Sequence, residues 1–76
     1  MLFNGIYEFR GYSKKTTESG KTYYFAHIED ENGESCTFIC TSEDYLKSAE
    51  KGSPVLVTFD YNSKYNNLRI CNVEVK

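Results

Sequence analysis

The sequence predicts an all-β domain with one short helix, closed as a five-stranded barrel. Three observations carry this. Apolar residues recur at every second position through successive short stretches, the period of a strand with one buried face. Clusters of Gly, Asn and Ser separate those stretches, as turns require. Only one segment, residues 41–52, carries the start, stop and apolar stripe of a helix. With 76 residues and 8.8 kDa there is room for one domain, 1–76, and one modest core. Seven tyrosines and five phenylalanines provide large buried areas from few residues, which separates the chain from disordered sequences. It starts at Met1 and reads as a complete small protein.

In "GIYEFRGY", Tyr7, Phe9 and Gly11 fall on one face of a first strand, and Ile6, Glu8, Arg10 and Tyr12 on the other. Gly11 inside a strand suggests a bulge or strong coiling. "SKKTTESG" then reads as a polar, basic loop ending at Gly20. The second strand is "KTYYFAHIE", with Tyr24, Ala26 and Ile28 as its core face and Tyr23, Phe25 and His27 opposite. "DENGE" is a hairpin turn in which Asn32-Gly33 suits left-handed backbone. "SCTFICT" is the third strand. In "TSEDYLKSAEKG", Thr41 or Ser42 can cap a helix, and Glu43 and Asp44 sit where the helix dipole favours negative charge. Tyr45, Leu46 and Ala49 would face the core, Gly52 stops the helix and Pro54 blocks its continuation. "PVLVTFDY" is the fourth strand, with Val55, Val57 and Phe59 inward. "NSKYNN" is a turn and "LRICNVEVK" the fifth strand.

Three strands, a helix and two further strands is the order of the OB-fold, a Greek-key barrel. An SH3-like barrel is the alternative. Ligands of OB-folds lie across strands two and three, between the loops joining strands one to two and four to five. Here both loops carry lysine. Arg10, Tyr12, Lys14, Lys15, Lys21, Tyr23, Phe25, His27, Lys64 and Tyr65 are therefore the candidate nucleic-acid-binding residues. Exposed rings stack on unpaired bases at about 1–3 kcal/mol each, while Lys and Arg follow the phosphates. The alternative is that the same face serves a protein partner or a dimer contact.

The formal net charge is −2, but charge is segmented along the chain. Arg10, Lys14, Lys15 and Lys21 stand against Glu18, giving +3 over residues 10–24. Glu29, Asp30, Glu31 and Glu34 give −4 over residues 29–34. One surface can thus be basic on an acidic molecule. The acidic turn would repel phosphate, placing a bound strand nearer the basic loops. Cys36, Cys40 and Cys71 are odd in number, which fits reduced thiols. On one strand, Cys36 and Cys40 would lie about 13 Å apart, too far for one zinc ion or one disulfide. With a single histidine, neither a metal nor a cofactor is expected. No nucleophile has an adjacent base, so catalysis is not expected either. There is no apolar run of membrane-spanning length and no secretory start, so a cytoplasmic protein is expected.

Residues 20–28 and 51–75 resemble the gene V type of phage and plasmid single-stranded-DNA-binding protein. The resemblance rests on "GKTY" at Gly20–Tyr23 and on "KGSPVLVTFDYNSKYNNLRI". It implies an OB-type barrel, a dimer, and a role coating replication or transfer intermediates. It also implies that Tyr23 is a stacking residue and Phe25 a neighbouring DNA contact. The sequence departs from the family at Asn72 and Glu74, where arginines stand in the family's last strand, and in its short acidic turn. The expected function is thus non-catalytic binding of single-stranded nucleic acid, DNA before RNA, with low sequence specificity. A protein-interaction module is the alternative, and a homodimer is left open.

Overall fold

β1, Leu2–Thr16, is the strand around which the others are arranged in this computed structural model, which describes residues 1–76. Its first half pairs antiparallel with β4 (Pro54–Asn62), from Leu2 opposite Asp60 to Glu8 opposite Pro54. Its second half pairs antiparallel with β2 (Thr22–Glu29), from Glu8 opposite Glu29 to Thr16 opposite Thr22. β2 forms a hairpin with β3 (Ser35–Cys40). β4 pairs with β5 (Asn67–Val75), and β3 meets β5 in parallel at Cys40 and Ile70. The order β1-β2-β3-β5-β4 closes on itself. The result is an all-β closed barrel with one short helix, α1 (Asp44–Lys47), between β3 and β4. That closed five-stranded barrel is consistent with an OB-fold-like or an SH3-like barrel.

The bulge expected at Gly11 is present. Phe9 lies opposite Ile28 and Tyr12 opposite Ala26, so Arg10 and Gly11 together face the single residue His27. Gly11 has φ +111°, a conformation that L side chains rarely adopt. The extra residue shifts the alternation by one. It also lets β1 coil far enough to serve two neighbours, and β1 runs on through Ser13, Lys14, Lys15 and Thr16. Lys14 and Lys15 are therefore strand residues and not part of a loop. The connection to β2 is a tight turn, in which Thr17 N–H donates to the Lys21 carbonyl at 2.7 Å.

Ten side chains make the core: Phe9, Ala26, Ile28, Cys40, Leu46, Val55, Val57, Phe59, Ile70 and Val73. The core faces read from alternation in β2 and β4 are thus the observed ones. Complete burial of Leu46, Val55, Val57 and Ile70 stabilises the fold by about 1.5–3 kcal/mol each. Phe59 gathers three aromatic neighbours: Phe3 stacked at 5.5 Å, Tyr7 edge-on at 5.9 Å and Phe38 edge-on at 5.1 Å.

The helix is shorter than residues 41–52 suggest. Ser42 Oγ accepts from Asp44 N–H at 3.2 Å, and a single turn then inserts Leu46 into the core. Beyond it, Gly52 N–H donates to the Phe9 carbonyl at 2.7 Å and Phe9 N–H to the Ser53 carbonyl at 2.9 Å. The free edge of β1 thus takes up the chain where Gly52 ends any helical run. In the β2–β3 turn only Gly33 takes left-handed backbone (φ +80°), not Asn32. Asp30 Oδ1 instead holds the turn, accepting from Asn32 N–H and Glu34 N–H at 2.9 Å each. No helix is long and apolar enough to cross a membrane.

Candidate nucleic-acid interface

Residues directly opposite each other in an antiparallel pair share a face of the sheet. The outer face of the β1-β2-β3 sheet therefore follows from its register. Tyr23 lies opposite Lys15, Phe25 between Ser13 and Ile39, and His27 opposite Thr37. The outward aromatic row read from the sequence is thus real: Tyr23 is 36% exposed, and Phe25 and His27 are half-buried. His27 is tethered across three strands, with Ser13 Oγ 3.2 Å from Nε2 and Thr37 Oγ1 2.8 Å from Nδ1. That fixes the imidazole on the face that carries Phe25.

The bulge divides the basic candidates of β1. Tyr12 lies opposite Ala26, and Lys14 opposite Tyr24, on the core-facing side. The Tyr12 hydroxyl reaches toward Glu43 Oε2 at 3.5 Å. Tyr12 and Lys14 therefore do not join the row of Tyr23 and Phe25, as plain alternation on an unbulged strand would have Tyr12 do. Lys15 does join it. Arg10 stays outward but is engaged by carboxylates, 2.7 Å from Glu8 and 3.5 Å from Glu29. It sits at the acidic end of the face.

Beside Tyr23 a groove of about 440 Å³ runs between the β1–β2 turn and the start of β5. Lys21, Tyr23, Ile39, Thr41, Asn67 and Arg69 line it, with no carboxylate among its lining residues. Arg69 is held by Asp60 Oδ2 at 3.3 Å. Past Asn67, the β4–β5 turn presents Tyr65, 69% exposed, with the Lys64 ammonium 5.4 Å from its ring centre. Asn66 takes left-handed backbone (φ +50°) at the end of this turn and accepts a hydrogen bond from the Tyr61 hydroxyl at 2.6 Å.

Sequence reasoning missed Ile39, Asn67 and Arg69. Ile39 could have been found by counting back across the β2–β3 hairpin from its turn, which places it beside Phe25. Nothing local marks Arg69, because the β3–β5 meeting that brings it to the groove is a non-local parallel contact.

The three cysteines are free thiols, Cys36 exposed, Cys71 half-buried and Cys40 buried. Burial pushes the Cys40 thiol above its ordinary value of 9.0, against backbone hydrogen bonds at Ser42 and Thr41 that lower it. A hydrogen bond and charge attraction from Glu43 raise Lys47. Cys40 is among the residues that line the groove and Lys47 is not, and no three His, Cys, Asp or Glu side chains cluster as metal ligands would. Comparison of the chain with known protein families, curated proteins and solved structures finds no match.

Proposed function

We propose that this protein binds single-stranded nucleic acid, DNA first, without catalysis and with little sequence preference. The observation that carries the reading is the convergence of Tyr23, Phe25 and Ile39 with Lys15, Lys21 and Arg69 on one face. Tyr23 and Phe25 are two residues apart on a strand, hence about 6.8 Å along it. Neighbouring bases in a stacked strand are only about 3.4 Å apart. Two adjacent bases can occupy both rings only when unstacked from each other, which suits a flexible single strand and not a duplex. Lys64 and Tyr65 at the β4–β5 turn extend the basic and aromatic surface past the groove. The role implied by the gene V-type resemblance, coating exposed strands in the cytoplasm during replication or transfer of phage or mobile DNA, agrees with this chemistry.

The test is a titration of fluorescent oligo-dT at low salt, followed by a salt series. Three to five phosphate contacts from Lys15, Lys21, Arg69 and their neighbours give a slope of log K against log salt of about −2 to −3.5. Tyr23→Ala with Phe25→Ala should weaken binding by roughly 5- to 150-fold per stacked base lost. A folded wild type that binds nothing at low salt refutes the proposal. The aromatic face would then belong to a protein partner or a second copy.

A further inference from the structure

A barrel has two mouths, and only one of these is plugged. Leu46 of α1 is fully buried in the core. Beside the β2–β3 turn the interior instead opens into an apolar slot of about 210 Å³. Phe3, Tyr7, Phe38, Phe59 and Leu68 form its walls, and Asp30, Glu34 and Cys36 its rim. The slot exists because β3 and β5 are paired only at Cys40 and Ile70. Their earlier residues stand apart, leaving Phe38 and Leu68 half-buried with apolar surface between them. An apolar cavity of roughly 150 Å³ is already enough to hold benzene, so this one has room for a large side chain.

The rim sets the chemistry of the occupant. Asp30, Glu31 and Glu34 crowd the turn at this mouth, and none of the three forms an ion pair. An acidic rim around an apolar slot complements an apolar side chain flanked by cations. It also disfavours nucleic acid, whose phosphates it repels. We propose that this mouth is a docking site for a partner protein's peptide segment, in which a Phe or Leu enters the slot and adjacent Lys or Arg residues meet Asp30, Glu31 and Glu34. The site is separate from the basic groove, so peptide and nucleic acid can be held together.

The experiment is a ¹⁵N–¹H NMR titration of the full chain with the blocked pentapeptide Gly-Lys-Phe-Lys-Gly. The control peptide is Gly-Glu-Phe-Glu-Gly, and light scattering follows the mass. The expected result is saturable shifts at Glu34, Phe38 and Leu68 with the basic peptide only, at an unchanged mass. Glu31→Lys with Glu34→Lys, both exposed and outside the core, should keep the dispersed spectrum and weaken binding at least ten-fold. Equal response to both peptides, shifts confined to Tyr23 and Phe25, or no shift at millimolar peptide would overturn the proposal. A doubled mass at rest with concentration-dependent shifts at Phe38 and Leu68 would also overturn it, since the occupant would then be a second copy of this chain.

Discussion

Replacing Gly11 by alanine removes no contact, yet it should destabilise the barrel. A Cβ at this position would meet no heavy atom within 4 Å, so steric crowding contributes nothing. What changes is the backbone, held at φ +111° by the bulge that sets the alternation of β1. Forcing an L residue there costs of order 1–3 kcal/mol. In a domain of this size each kcal/mol lowers Tm by about 4–8 °C. The expected fall is thus roughly 4–24 °C in thermal unfolding followed by circular dichroism. Chemical synthesis provides the control. For D-alanine at position 11 a positive φ has the ordinary sign, and a restricted unfolded chain should make it neutral or stabilising by about 0.4–1 kcal/mol. An L-alanine variant within about 1 °C of wild type, or a D-alanine variant as unstable as the L form, would refute the strain argument.

Two further outcomes follow from the same geometry. Because burial raises the Cys40 thiol, the folded state holds that proton more tightly than the unfolded state. Its contribution to stability is complete below the ordinary value of 9.0 and is lost as pH rises through the raised folded value. Urea unfolding at pH 7.5 and 10 should therefore show a smaller alkaline loss for Cys40→Ala than for wild type, and an equal loss would count against it. Among the arginines, Arg69→Ala should weaken oligo-dT binding by about ten-fold while Arg10→Ala changes it little, because Arg69, although paired with Asp60, lines the groove, whereas Arg10 stands between Glu8 and Glu29 at the acidic end of the face. Equal effects of the two substitutions, measured by fluorescence titration, would show that the bound strand does not follow the groove that Arg69 lines.

Much of the fold was legible because alternation is a local signal. Val55, Val57 and Phe59, or Tyr24, Ala26 and Ile28, announce their inner face in a few consecutive residues. The bulge at Gly11 was legible as a site of irregularity, but its effect on parity was not. Whether Tyr12 ends up beside Phe25 or opposite Ala26 depends on which residues of β2 pair with β1, a tertiary fact. Lys14 and Lys15 looked like loop residues by composition, and the pairing with β2 overrides that tendency. The helix closes after one turn at Lys47, short of the stop that Gly52 marks, and Gly52 and Ser53 then bond to Phe9 of β1. In the candidate site, Tyr23 and Phe25 were visible as rings on the wrong face of a core strand. Arg69 and Asn67 were not, because they reach the groove only through the contact between β3 and β5.

The central claim is about where a strand would lie, and a ¹⁵N–¹H NMR titration with oligo-dT at low salt reads that directly. The account predicts shifts concentrated at Lys15, Lys21, Tyr23, Phe25, Ile39 and Arg69, with the turn at residues 30–34 silent. Shifts centred on that acidic turn, or a spectrum unmoved by oligo-dT, would contradict it.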